Sequence, residues 1–546
     1  MAPQPEQRPS VQFTAELPEL WCDIAGAGAL AMVTAQFQEL LDCLGIPASA
    51  ALDVRFPAPA GSGPEGVLWI DGSAIGFALP ASPDVAAVAE RIVAAGFAAR
   101  ELLIGEPVVH AVWRAWFSGD DCPRDLASDG QWLLRQAVRS GLRLDRVRQA
   151  VERLRKADGH RPLGEWFEDA VAETVVPSTG IRISRAQYEQ CYDSSTREPR
   201  LLTGDDKRLP ELLALVLDAI FYDLGLYLKP SAIHISETLD GPWFRVCWND
   251  IVMPPVRGLE PGAVLVNASA ALLRSRGVSA ERAVNPANNN ESCVTRDLTE
   301  GLAKEFTTWG PAGYLILALS AAIRAHAGAL VTARLTDLYL VQLRRAFPDL
   351  VEAVTGRFDR VTITRVFRAL LDEQISLRDL RAIFEALLAV DGVTSAETDG
   401  RVMFQPESML FYPLDGVPAR GPLGPAELAE CVRLRLRRYI SHKYTRGEST
   451  LETYLLDRDL ERRLEPNQPP LAAEDERAVV TTVSREIHEQ AGLGRHPVVL
   501  TDLIVRRRLR RMLERDLPHV TVLSYQELQS DLNIRPLVRI SVPGVA

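Results

Sequence analysis

Apolar side chains first fall on a helical repeat between Ala31 and Leu44, where Val33, Phe37, Leu40, Leu41 and Leu44 share one face. Two extended runs follow, Leu52–Phe56 and Val67–Ile75, and the Gly/Pro-rich stretch Ala60–Gly66 between them reads as a turn. Asp84–Phe97 and Asp129–Lys156 read as helices, the second broken near Gly141. The polar, proline-rich residues 1–10 are expected to be disordered and do not form a signal peptide.

A second pass of the same kind starts at Leu209. Leu209–Leu224 reads as a helix, and Ile233–Glu237 and Trp243–Ile251 as strands. Leu41-Asp42-Cys43-Leu44-Gly45-Ile46 answers Phe221-Tyr222-Asp223-Leu224-Gly225-Leu226, and Trp69-Ile70-Asp71 answers Trp248-Asn249-Asp250. Two readings stay open: an ancient duplication, or chance recurrence of a common helix-strand-strand pattern.

Leu315–Phe347 reads as helical, followed by two short helices, Thr362–Leu371 and Leu377–Leu388, with Ser376 placed to cap the second. Val402–Tyr412 reads as extended. Leu414–Pro425, with three prolines and three glycines, reads as an inter-domain linker. Glu427–Lys443 reads as one long arginine-rich helix. Beyond it, strands Leu451–Leu456, Val498–Thr501, Val520–Ser524 and Leu537–Val542 alternate with helices Glu474–Gln490 and Val505–Arg515, which predicts a small α/β domain with a mixed sheet. The chain is thus expected to be an α/β (α+β) multidomain protein. Its parts are 1–10, an N-terminal α/β region 11–200, α/β subdomains 201–355, a helical subdomain 356–412, a linker 413–425 and a C-terminal α/β subdomain 426–546.

Composition narrows the function. The formal net charge of −11 argues against a nucleic-acid binder that relies on a basic field. The densest basic run, Arg506 to Arg511, is expected to be helix surface or an inter-subunit contact. Seven scattered cysteines form no C-x-x-C pair, which fits a reducing cytoplasm. The longest apolar stretch, Gly313–Ile323, is shorter than the roughly 20 residues that span a bilayer, so no transmembrane segment is expected. Phosphate-loop, dinucleotide-binding and nucleophile-elbow motifs are missing, and no histidine has a second metal-type ligand in a known motif; His488-Glu489 lacks the second histidine of a zincin helix. No catalytic residue, cofactor or metal is expected. Trp113, Trp116 and Phe117 stand at i, i+3 and i+4, so they share a helical face. Core packing and a protein-binding face are both open readings of it.

Ser376-Leu377-Arg378-Asp379-Leu380-Arg381-Ala382-Ile383-Phe384-Glu385, preceded by Leu370-Leu371-Asp372-Glu373, resembles a motif in the helical subdomain of the flagellar and injectisome export-gate family (FHIPEP). Further blocks follow in the family's order. Phe347-Pro348-Asp349-Leu350-Val351-Glu352, the Val432–Tyr444 helix, Pro497-Val498-Val499-Leu500 and Leu523-Ser524-Tyr525-Gln526-Glu527-Leu528 are each similar to a family segment. The resemblance covers about Leu209 to Ile540. It implies the family's cytosolic domain: four subdomains, a ring commonly of nine subunits, and a non-catalytic platform that docks chaperones and cargo. Within the motif, Arg378, Asp379 and Arg381 are candidates for subunit contact. The family's docking groove carries Asp-Pro-Ala-Phe, where this chain has Asn285-Pro286-Ala287-Asn288, and the second wall of the groove falls at Ile316-Leu317-Ala318. Loss of an aromatic anchor is worth up to about 2–4 kcal/mol. Asn285, Asn288 and Leu317 should therefore bind a polar partner or none, leaving Trp113, Trp116 and Phe117 as an alternative surface. The family's membrane half is expected to be replaced by the unmatched first 200 residues.

The sequence supports a cytoplasmic interaction platform with weak self-association into a ring. Its partners would be export-machinery-like components, cargo or an NTPase, with no nucleic acid. The alternatives are an adaptor of an NTPase-containing machine, and an enzyme with a site in the first 200 residues.

Overall fold

The computed structural model describes residues 10–17, 27–55, 65–70, 73–78, 85–117, 124–148, 177–192, 208–287, 291–390, 404–405, 410–411, 423–465, 468–489 and 497–542, with a few single residues between them. Residues 1–9, Asn288 and residues 414–422 of the expected linker lie outside this description. The chain divides into two compact units. The first comprises Met1–Leu213, Lys229–Gly262 and Gly310–Leu319; the second comprises Ala214–Leu228, Ala263–Trp309 and Ser320–Ala546.

The first unit opens with a strand that the sequence reading missed, β1 (Ser10–Glu16), which alternates buried and exposed residues. After it come α1 (Ala27–Leu44), β2 (Ser49–Arg55), β3 (Glu65–Ile70) and β4 (Ser73–Ala78). The single strand expected over Val67–Ile75 is therefore a hairpin. The sheet order is β2-β1-β3-β4, with β1 parallel to β2 and antiparallel to β3. Helices α2 (Val85–Ala98), α3 (Glu106–Trp116) and α4 (Arg124–Arg139) follow. Phe13 stacks on Phe37 at 4.0 Å in the core beside Leu41, Ile70, Ile92 and Leu133.

The chain then repeats itself. β5 (Thr179–Ile183), α5 (Arg185–Cys191), α6 (Leu209–Leu224), β6 (Ala232–Ile235), β7 (Trp243–Trp248) and β8 (Ile251–Val252) give a sheet ordered β6-β5-β7-β8, with β9 (Val256–Arg257) added on β7. Here β5 is parallel to β6 and antiparallel to β7, and β7 is antiparallel to β8. Apart from α5 and β9, this is the connectivity and strand direction of the first sheet. Gly45 (φ +71°) and Gly225 (φ +69°) end the equivalent helices α1 and α6 in the left-handed region that glycine enters without a Cβ penalty. The hairpins correct the alignment by one residue: Ile70 pairs with Ser73 as Trp248 pairs with Ile251. Ile70 and Trp248 are both buried, whereas Trp69 is half-exposed.

Arg100 is buried among the helix ends of this unit. Its guanidinium donates to the carbonyls of Val138 (3.1 Å), Phe97 (3.3 Å) and Arg139 (3.3 Å), satisfying acceptors that a helix end leaves open. Burial lowers its pKa to about 10.

The second unit carries a small antiparallel sheet ordered β11-β12-β10-β13, built from β10 (Val264–Val266), β11 (Glu281–Val284), β12 (Glu291–Thr295) and β13 (Thr308–Trp309). The helix expected over Leu315–Phe347 is two, α7 (Pro311–Ala325) and α8 (Ala333–Ala346). Between them Gly328 packs so tightly that a Cβ would stand 2.1 Å from Asp372 Oδ1. Thr332 then caps α8 through Leu335 N. Helices α9 (Pro348–Arg357), α10 (Arg360–Asp372) and α11 (Leu380–Leu388) complete a bundle around Val366, Phe367, Ile383 and Phe384. A strand pair, β14 (Phe404–Gln405) and β15 (Leu410–Phe411), lies where an extended segment was expected.

The arginine-rich helix expected over Glu427–Lys443 is broken at Leu436 into α12 (Pro425–Arg435) and α13 (Arg437–Thr445). β16 (Thr450–Leu456), α14 (Arg458–Arg463), α15 (Ala473–Glu489), β17 (Val498–Thr501), α16 (Leu503–Leu513), β18 (Thr521–Ser524) and β19 (Asn533–Ile540) finish the chain. This last sheet, ordered β18-β17-β16-β19, is wholly parallel rather than mixed. Helices carry the chain back from β16 to β17 and from β17 to β18, so those strands start in the same direction. The exposed edge strand β19 carries Pro536, which cannot donate to an added strand.

Candidate docking surface

The Ser376–Glu385 segment is where sequence signature and geometry meet. Ser376 does not cap the helix: its Oγ accepts from Arg378 N, and the cap is Asp379, whose carboxylate accepts from Ala382 N at 2.9 Å. Asp379 therefore starts α11 three residues later than expected. Ahead of it the loop lies flat on the end of α6. Leu377 N donates to Leu224 O at 2.8 Å, and a Cβ on Gly225 would come within 2.5 Å of Arg378 N. The Tyr339 hydroxyl fixes the other side, donating to Gly225 O at 2.9 Å and accepting from Tyr227 N at 3.1 Å.

That packing holds aromatic side chains out in solvent. Arg378 donates to Tyr222 O at 3.0 Å, and its guanidinium lies 5.3 Å from the Tyr222 ring centre. Arg381 pairs with Glu385 at 2.7 Å and lies 5.3 Å from the ring of Phe347. Tyr222 is 65% exposed and Val341 53% exposed, and Tyr227 and Leu338 are also open. The three motif residues proposed for subunit contact thus stand at the surface, two of them against exposed rings.

The other candidate residues divide. Asn285 is buried, and its Oδ1 accepts from Ala287 N at 2.9 Å, a local turn that uses the amide oxygen. Leu317 is half-buried in α7. Trp113 belongs to the core of the first unit, while Trp116 and Phe117 are half-buried against that core. Trp113 and Phe117 rings stand 4.7 Å apart.

What the sequence reading placed wrongly is the Arg506 run. Arg506 is fully buried, not surface. It donates to Glu373 at 2.6 and 3.1 Å and to Glu430 at 2.8 Å, with a second, shorter contact to Glu430. Arg433, also buried, bonds Glu527 and approaches Glu373 at 3.2 Å. Glu527 in turn accepts from Ser524 N at 2.6 Å. Five ionic side chains from the end of α10, from α12, from α16 and from the turn after β18 therefore tie the helical bundle to the C-terminal sheet. Burial alone would raise Glu373, but Arg433 and Arg506 overcome it and hold its carboxyl at about 2. Burial raises Glu430; Arg506 opposes this, while Glu373 and Glu527 add to it. A signal was present in the sequence. At about 100° per residue, Arg506 falls within the apolar arc of α16 bounded by Val505 and Leu503.

The FHIPEP family model matches residues 197–403 and 420–533, more than half of the chain. The chain belongs to the FHIPEP family. It is 24% identical over 388 residues to the low calcium response locus protein D of Yersinia pestis, covering 68% of this chain and 51% of that protein. It is 26% identical over 350 residues to a probable translocation protein, y4yR, of Sinorhizobium fredii, covering 62% of this chain and 45% of that one. The chain spans about half the length of these curated relatives. Among solved structures, it superposes on the CdsV protein of Chlamydia pneumoniae with TM-score 0.52 at 22% identity, covering 67% of this chain and 98% of CdsV. A structure of CdsV in complex with CdsO gives TM-score 0.53 at 24% identity, with the same coverage. The family match begins at residue 197, so the first copy of the repeated sheet lies ahead of it. Among the described residues, no helix is long and apolar enough to cross a membrane.

Proposed function

We propose that this chain is a cytoplasmic, non-catalytic platform that docks protein partners in an export-type machine, and that copies of it meet through the Tyr222–Arg378–Arg381–Phe347 surface. The FHIPEP match over both the helical bundle and the C-terminal sheet supports the platform reading. The observation that carries the surface is the pinned loop. Gly225, Leu377 and Tyr339 fix the backbone so that Tyr222 and Val341 stay exposed at little further cost in side-chain entropy. Arginine and aromatic residues held this way are the usual anchors of protein contacts. CdsV, which shares this fold, forms a complex with CdsO, and a protein of that kind is a natural occupant here. Any ring of this chain alone should be weak, because only a large or tethered contact concentrates subunits.

Light scattering over a wide concentration range tests the reading. The mass should rise with concentration for the parent and stay monomeric for the Arg378→Ala/Arg381→Ala double variant. A parent that remains monomeric throughout, and that no protein partner assembles, would count against it.

A further inference from the structure

The segment from Cys431 to Gly447 contains six Arg or Lys residues and one histidine, and no Asp or Glu. The fold spends two of these cations inside. Arg433 enters the ionic junction with Glu373 and Glu527, and Lys443 donates to Gln374 O at 2.5 Å and approaches Asp223 at 3.4 Å. The others face solvent. Arg435 closes α12, Arg437, Arg438 and His442 lie on α13, and Arg446 caps α13 in the left-handed region. Among the described residues none of these five has a carboxylate partner. Arg438 and His442 stand four apart on one face of α13, and Arg446 follows four residues on, at the left-handed end of the helix. An exposed arginine costs little, but unpaired like charges three or four residues apart repel on a helix. Such an arrangement is stable once opposite charge is brought to it.

We infer that this ridge, Arg435–Arg438–His442–Arg446, is a docking site for an acidic helical segment of a partner protein. Charge complementarity selects the sign, and the interval of four selects a segment with carboxylates at i, i+4 and i+8. Two features favour a protein over a nucleic acid. The chain as a whole carries −11, which repels a long polyanion. Tyr439 and Tyr444 are half-buried, so the ridge offers no open ring for base stacking. The site rests on the platform reading for its purpose, but it does not need self-assembly, and the two fail separately: solution mass reports one and peptide binding the other.

The test uses the full chain and a fluorescein-labelled 20-residue alanine-based helix with Glu at every fourth position, followed by fluorescence anisotropy. Its Gln counterpart and a 20-nucleotide single-stranded DNA serve as comparisons. Binding should be confined to the Glu peptide and weaken as salt rises past the range where the Debye length is about 10 Å. Arg435→Gln/Arg438→Gln/Arg446→Gln should bind roughly ten- to a hundredfold more weakly. A matched triple at exposed arginines elsewhere, Arg274→Gln/Arg344→Gln/Arg511→Gln, should bind like the parent. Equal losses in both triples, no binding of the Glu peptide at low salt, or tighter binding of the DNA through the same three arginines would each overturn the assignment.

Discussion

The second unit contains arginines of two kinds, and they teach opposite lessons about charge. Arg506 and Arg433 are fully buried, and carboxylates from three separate elements converge on them. Arg378 and Arg381 lie in the open against single rings, and Arg381 also pairs with the carboxylate of Glu385. The buried pair determines whether the helical bundle and the C-terminal sheet stay joined. The exposed pair contributes little to that and is free to contact something else. In sequence the two kinds look alike, because both sit in short arginine-rich helices or at their ends. What separates them is angle on the helix.

The sharpest way to break this comparison is Arg506→Met. Removing Arg506 from the buried ionic cluster takes away the cation that Glu430 bonds and leaves Glu373 with Arg433 alone, and breaking such a cluster costs about 3–5 kcal/mol. Urea unfolding followed by circular dichroism should show a correspondingly earlier transition. Adding Glu373→Gln and Glu430→Gln in the Arg506→Met background should recover part of the loss, since the uncompensated charge is then gone. If the single variant unfolds like the parent, the cluster does not hold the junction.

Gly225→Ala ranks next. At φ +69° any side chain is strained, at about 1–2 kcal/mol, and this Cβ would also stand 2.5 Å from a backbone nitrogen of the motif loop. Its counterpart in the first copy, Gly45 at φ +71°, meets its nearest atom at 3.3 Å. Gly225→Ala should therefore lower the melting temperature more than Gly45→Ala does. Equal effects would mean that the loop gives way easily and does not pin Tyr222.

How far this was legible follows from the same residues. The family signature, the order of helical and α/β parts and the four strands of the last sheet are readable because apolar periodicity and local motifs carry them. β1 was missed because its alternation is short and follows a polar, proline-rich start. The parallel direction of the last sheet could not be read from strand positions alone, because pairing depends on how each connection crosses. The break between α12 and α13 lacks a Gly or Pro to announce it. A run of arginines reads as helix surface, and only the angle of Arg506 on the arc of α16 turns it inward. The repeat was visible as a sequence echo, but only the hairpin pairings fixed its register. At the candidate surface the residues were legible and their support was not. That Gly225 and Tyr339 hold Arg378 in place is a matter of tertiary contact between segments more than a hundred residues apart.

A pH series sharpens the buried side. Glu373 is held below its ordinary range, so its contribution is present above the unfolded value near 4.5 and is lost as pH falls toward about 2. Glu430 is shifted the other way, so its contribution is present below that value and is lost as pH rises through its raised folded pKa. The melting temperature of Glu373→Gln relative to the parent should thus fall further behind between pH 2 and pH 4.5. That of Glu430→Gln relative to the parent should gain as pH rises from 4.5 toward neutrality. Two variants that change one carboxylate each, in one cluster, should diverge in opposite directions. Parallel curves would show that the cluster does not distribute its charge as the distances indicate.

The smallest effect is expected at the exposed arginines, and its smallness carries weight. Arg378 keeps one hydrogen bond to a carbonyl and one ring contact, both at the surface and both open to water. Contacts of that kind are worth no more than about 1 kcal/mol, and the backbone bonds from Leu377 and the Asp379 cap would keep the loop in place without them. Arg378→Ala should therefore melt within about 0.5 kcal/mol of the parent while weakening self-association or partner capture. A loss of association together with a large loss of stability would mean that Arg378 belongs with Arg506 as a structural residue, and the contrast between the two sets would collapse. A variant that melts like the parent but associates less would leave this arginine with one remaining role, which is to meet a surface that is not its own.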